Sequence, residues 1–156
     1  MTWYSELSTF SMAGHGGDVR AIGWLSRRQA YATGSVSPAF IELLQSHVSS
    51  AWQPILGLHS CNLGACAERS ARKRTRESRN LYVPTGECVY IAPAMVFHYV
   101  IEHRYRPPDE FIAALEQCPP RGSPEFLALI APFREHCGTP LVRLEERDPI
   151  ELQKSR

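Results

Sequence analysis

The sequence predicts an α+β domain: a small antiparallel sheet with a central hairpin, packed by about four helices. Three observations carry this expectation. Ser-Pro pairs at 37–38 and 123–124 stand at the head of apolar segments, as helix starts do. Two runs rich in Val, Tyr and Leu or Ile flank a Pro-Thr-Gly turn at 84–86. No βαβαβ alternation runs through the chain. The 156 residues read as one domain, with a loosely held arm at 1–17, a charged loop at 67–80 and a charged tail from about 145 to 156.

The arm ends in the Gly-rich AGHGG and is expected to add little core. From Asp18, VRAIGWL sets Val19 and Ala21 against Arg20, Ile22 and Trp24, a short strand in which Gly23 marks a close backbone approach. In SPAFIELLQSHVSSAW, Ser37 accepts from the free first-turn amides and Pro38 suits the first helical position. Phe40, Leu43, Leu44, His47 and Val48 then keep the i, i+3, i+4, i+7, i+8 stripe of a helix. After Pro54, ILGLHSC reads as a second strand leading into two thiols. AERSARKRTRESRN has no apolar period and reads as a loop.

LYVP and ECVYI form the hairpin, with Gly86 free to take positive φ in the turn. APAMVFHYVIEHRY is a helix with Pro93 near its start and Val96, Tyr99, Val100 and His103 along one face, stopping before Pro107-Pro108. PDEFIAALEQC is a short helix: Asp109 and Glu110 sit where the dipole favours carboxylates, and Phe111, Ile112 and Leu115 face inward. EFLALIAPFREHCG is a last helix with a break at Pro132 and a stop at Gly138. RLEERDPIELQKSR reads as a strand and a frayed tail.

Composition excludes some roles. A net charge of +1 argues against a globally basic nucleic-acid binder, though not against a local patch. MTWYSELSTFSMAG has no Lys or Arg ahead of an apolar core, and no apolar run approaches the ~18 residues of a membrane span, so a cytoplasmic location is expected. The five cysteines, an odd number, read as thiols and metal ligands rather than a disulfide framework.

The chemistry is concentrated in HSCNLGAC and in the helix beyond the hairpin. Cys61 and Cys66 form a C-x4-C pair, and His98 and His103 an H-x4-H pair, both within structural-zinc spacings. Thiolates and imidazoles suit tetrahedral Zn²⁺. The 31 residues between Cys66 and His98 exceed the dozen or so of a common finger. Five positions on an ideal helix also place His98 and His103 about 140° apart, so both bind only if the helix ends or bends near His103. One of them joined by His59 is the easier geometry. Plain packing is the competing use of these groups. Cys88, Cys118 and Cys137 are assigned to packing.

Two rival chemistries share these residues or their neighbours. A Cys61 or Cys66 thiolate with a histidine base would make a thiol hydrolase, but no nucleophile-elbow signature accompanies it. HGGD at 15–18 lacks the strand and Lys of a phosphate loop. Arg69, Arg72, Lys73, Arg74, Arg76 and Arg79 form a basic run diluted by Glu68 and Glu77. Within it Arg72, Lys73, Arg74 and Arg76 are the candidate nucleic-acid contacts, although no aromatic lies inside the run to stack bases.

RAIGWL, WQP, HSC…C, NLYVP, VYIAPAMVFHYVIEHRYRPPDEF and CPPRGSPEF together resemble a widespread group of small uncharacterised bacterial proteins over roughly residues 19–130. The resemblance implies matching positions for His59, Cys61, His98 and His103. Two extra residues before Cys66 and the basic run depart from that group's His-x-Cys-x-x-Cys pattern. The resemblance supplies no reaction. The reading that results is a binding or accessory domain with a structural Zn²⁺ at Cys61 and Cys66 plus one or two of His59, His98 and His103; a protein partner or self-association stays open. A metal-dependent or thiol enzyme is the alternative, expected to show three ligands beside a cleft containing Tyr99, Arg104 or Tyr105. A nucleic-acid accessory protein using residues 69–79 is the second.

Overall fold

The computed structural model describes residues 3–10, 18–51 and 58–133. In chain order these form β1 (Val19–Ala21), α1 (Pro38–Ser49), β2 (His59–Ser60), α2 (Gly64–Glu68), β3 (Arg76–Glu77), β4 (Asn80–Pro84), β5 (Val89–Pro93), α3 (Val96–His103), α4 (Asp109–Gln117) and α5 (Pro124–Ile130), followed by a 3-10 turn at Ala131–Phe133. The class is α+β, as the sequence predicts. Both Ser-Pro starts cap their helices: Ser37 Oγ accepts from Phe40 N–H and Ser123 Oγ from Phe126 N–H, each at 3.1 Å.

The hairpin of β4 and β5 pairs Asn80 with Pro93 through to Pro84 with Val89. Its turn is held by Thr85, whose Oγ1 accepts from Cys88 N–H at 2.9 Å and Glu87 N–H at 3.1 Å. Gly86 does not adopt positive φ, because that side-chain bond closes the turn without it. Pro93 ends β5 instead of opening α3; it has no N–H to offer a further ladder bond, and the helix starts at Val96.

The sheet is mixed rather than purely antiparallel. β5 is its centre, antiparallel to β4 and parallel to β1, with Val19, Arg20 and Ala21 opposite Val89, Tyr90 and Ile91. A parallel pair needs a long crossover, and α1 with the thiol-bearing loop provides it. Burial on both faces explains why every residue of β5 is apolar and buried. Tyr90 and Ala92 join Leu81 and Val83 in one cluster with Phe40, Leu44, Val96, Tyr99, Phe111 and Leu115 of the helices. Val89 and Ile91 face the opposite way, onto Phe10, Trp24, Phe126 and Ile130.

Two expectations are corrected here. Residues 3–10 of the arm do contribute core. Leu7 N–H and Phe10 N–H donate to Ala21 and Val19 carbonyls at 2.9 and 2.8 Å, and Phe10 packs on Trp24 at a ring separation of 5.1 Å. The backbone of β1 offers a free edge, and pairing there carries Phe10 inward. The charged stretch is not all loop either: α2 runs to Glu68, and β3 pairs its Arg76 and Glu77 with Ser60 and His59. That pairing uses backbone groups alone and so leaves no apolar period. Glu77 fixes the corner, accepting from Arg79 Nη2 at 2.7 Å and from the Ser78 and Arg79 amides. The stretch 52–57 of the expected second strand, Gly138, Cys137 and the C-terminal tail lie outside the described residues.

Gly23 is the backbone position with the least latitude. Its φ is +67°, and a Cβ there would lie 3.1 Å from Val96 Cγ2 and 3.5 Å from Tyr105 Cε1. Its N–H points at the Glu6 carboxylate, which also accepts from Tyr105 Oη at 2.8 Å. Left-handed backbone alone costs a non-glycine residue roughly 1–2 kcal/mol. Gly23→Ala is therefore expected to lower the urea midpoint by at least that equivalent, and an unchanged midpoint would show that this close approach is not maintained in solution.

Burial pushes the Glu6 carboxyl up, against the lowering effect of its bonds from Tyr105 and Gly23. A raised folded value means stability that is fully present below the unfolded carboxyl range and lost as pH rises through the folded one. Glu6→Gln keeps an acceptor for both donors and removes the ionisation. Its stability relative to wild type should accordingly rise between acid and neutral pH; a constant difference across that range would contradict the assignment. Among the described residues no helix is long and apolar enough to cross a membrane.

Candidate metal centre

The loop between β2 and β3 and helix α3 bring two thiols and two imidazoles together. Cys61 follows directly on β2, and its N–H donates to the Thr75 carbonyl at 3.0 Å, so the β2–β3 ladder places it. Leu63 is buried between the two cysteines and anchors the loop in the core. Gly64, at φ +45°, starts α2, and Cys66 lies on that one-turn helix with its N–H bonded to Leu63 O at 3.0 Å. Both sulfurs are buried, whereas His98 and His103 are half-buried.

Across the gap, Cys61 Sγ lies 3.3 Å from His103 Nε2, and Cys66 Sγ lies 3.6 Å from His98 Nε2. All four ligand atoms fall within 4.8 Å of one another. Zn–S bonds of 2.3 Å and Zn–N bonds of 2.0–2.1 Å at tetrahedral angles give edges of about 3.6 Å for S···N, about 3.8 Å for S···S and about 3.3 Å for N···N. The donor set fits such an ion in number and type, and the two S···N contacts of 3.3 and 3.6 Å lie near the ideal edge. Zn²⁺ bound there would be four-coordinate, with no ligand left to recruit.

Both histidines lie within α3, His98 in its first turn and His103 as its last residue; Arg104 then turns left-handed at φ +54°, with Tyr105 N–H donating to Tyr99 O at 3.0 Å. The rings of His98 and His103 sit 5.1 Å apart, edge to face. Tyr99 packs 5.9 Å from the first ring and 6.2 Å from the second, closing the cluster from the core side. Gly64 faces His103, where a Cβ would make only an ordinary contact at 3.8 Å from Nδ1, so it is the positive φ that calls for glycine. The glycine inside CNLGAC marks the left-handed turn that starts α2 between the two thiols.

Electrostatics suit a soft divalent cation. Burial pushes the Cys61 thiol up to about 11, with Cys66 adding to the rise, so in the absence of a cation it holds its proton. Burial also lowers both imidazoles, keeping them neutral and their lone pairs free. A divalent ion held by these residues would displace the thiol protons, so its binding would be coupled to proton release.

Some expected participants are elsewhere. His59 stays out of the four-donor set; its ring lies edge-on to Trp24 at 5.0 Å, directed by the β2 backbone toward the other core cluster. Tyr99 and Tyr105 are buried packing residues rather than the lining of a cleft, and Arg104 is exposed. Of the basic run, Arg72 and Lys73 are exposed. Arg74 turns back, donating to Ala67 O at 2.7 Å and Arg69 O at 3.0 Å, and Arg76 donates to Ala71 O. Cys88 is buried, in line with packing, and Cys118 is half-buried.

Comparison with known families locates this arrangement. The model of a domain of unknown function, DUF7919, matches residues 2–116. The chain belongs to this family. All four donors, both small sheets and α1 to α3 lie inside the DUF7919 match, and α5 lies beyond it. No curated protein and no solved structure matches the chain.

Proposed function

We propose that Cys61, Cys66, His98 and His103 bind one structural Zn²⁺ and that this DUF7919 chain serves as a binding or accessory domain rather than an enzyme. The observation that carries the reading is a complete set of two thiols and two imidazoles whose ligand atoms all lie within 4.8 Å of one another. Catalytic zinc sites keep a position open for water beside a pocket. Four protein donors would fill the coordination sphere of such an ion, and Tyr99 packs against the cluster. The ion's role is mechanical: it ties the β2–β3 loop to α3, two segments that otherwise meet through Leu63, Val96 and Tyr99 of the common core cluster. Free thiols at these positions suit a reducing cytoplasm.

Elemental analysis of protein prepared without a polyhistidine tag, paired with thiol titration, tests this. About one zinc per chain is expected, with two thiols that react only after chelation. Protein free of transition metal that gains no zinc on incubation would end the proposal.

A further inference from the structure

A second site lies on the outer side of the thiol loop. Ser26, Arg27, Arg28, Asn62, Ala67 and Arg74 line a solvent-open cavity of about 490 Å³. Its volume falls in the range of small-ligand sites, about 300–1,000 Å³, but its lining is polar and carries three guanidinium groups.

The geometry of those three groups is built by the fold. Gln29 N–H donates to Ser26 O at 3.1 Å, closing a turn with Arg27 and Arg28 at its two central positions, and Ser26 Oγ accepts from Arg28 N–H at 3.4 Å. Both side chains are exposed. Arg74 comes from the opposite wall, where its two bonds to Ala67 O and Arg69 O hold the guanidinium in place. Those bonds use Nε–H and one Nη2 hydrogen and leave the Nη1 donors over. Among the described residues, no carboxylate lies within ion-pair distance of Arg27, Arg28 or Arg74. Asn62 adds an amide whose Oδ1 is buried without a hydrogen-bond partner.

Three arginines lining one recess without a carboxylate in ion-pair reach repel one another, which an anion relieves, and planar guanidinium forks match phosphoryl oxygens in particular. We infer that this cavity binds a phosphoryl group of a small phosphorylated molecule, held by Arg27, Arg28 and Arg74. The recess favours a compact ligand over a polymer. The site draws on only one of the four basic-loop residues, Arg74, and takes its other two cations from a turn about 45 residues upstream in the sequence.

Calorimetric titration of the full-length, zinc-replete protein with inorganic phosphate, a 5′-mononucleotide and a twelve-residue single-stranded oligonucleotide tests the inference. Saturable binding of phosphate and the mononucleotide is expected. Loss of two charge-assisted contacts in Arg27→Ala/Arg28→Ala should weaken it about tenfold to hundredfold. Arg72→Ala/Lys73→Ala, on the same loop as Arg74 but outside the cavity, should leave it unchanged. No binding of either small probe would overturn the inference. Binding that survives the Arg27/Arg28 double change would overturn it too, as would binding confined to the oligonucleotide and abolished at Arg72 and Lys73. Zinc content measured on each variant separates failure here from failure of the metal centre.

Discussion

Removing the metal is expected to destabilise the protein sharply and to do so first between β2 and β3. An ion held at a thousand times its dissociation constant contributes about 4 kcal/mol to the folded state. For a chain of this size each kcal/mol moves the thermal midpoint by about 2–4 °C, so a strong chelator should lower it by roughly 10 °C. Cys61→Ser should have the same effect without chelator and abolish the response to it. Cys118→Ala, at a half-buried thiol away from the donors, should keep both the midpoint's metal dependence and the zinc. Amide exchange should accelerate from Cys61 to Glu77 before it does in β4 and β5, because the loop has short ladders while the hairpin is buried on both sides. A melting curve indifferent to chelation would remove the mechanical role.

Trp24→Ala is the second large effect. The indole is buried and touches Tyr4, Phe10 and His59, so it joins the N-terminal segment, the sheet and the start of the thiol loop. Truncating a buried aromatic of this size costs about 3–5 kcal/mol. Trp24→Phe separates packing from hydrogen bonding: it gives up the Nε1–H bond to Ile91 O, 3.2 Å long, but that carbonyl still accepts from Ile22 N–H at 2.9 Å. A loss of no more than about 1.5 kcal/mol is therefore expected for it from the bond. Denaturant midpoints of the two variants check the ordering; equal losses would show that the indole bond, rather than the ring's packing, holds this region.

Which features were legible in the chain follows from how local their causes are. The Ser37 and Ser123 caps act within one turn, and the β4–β5 hairpin closes across a few residues, so propensity and turn chemistry reveal them. The pairing of β1 with β5 joins residues 70 positions apart, and its parallel sense depends on the path of the crossover, to which side-chain alternation is blind. The thiol pair and the imidazole pair were visible as spacings. Their meeting was not, since it brings residues 32 and 42 positions apart together across the β2–β3 loop and α3. His59 looked an equal candidate because it stands two residues from Cys61, yet the second core cluster holds its ring. Phe10 sat in a segment with no periodic pattern, and only the free edge of β1 gives it a place.

Zinc K-edge X-ray absorption on the purified protein reads the proposed ligand set itself. Two sulfur neighbours at about 2.3 Å and two nitrogen neighbours at about 2.0–2.1 Å are expected, changing to one sulfur in any zinc retained by Cys66→Ser. A shell of oxygen and nitrogen alone, or one unaltered by that substitution, would contradict the account.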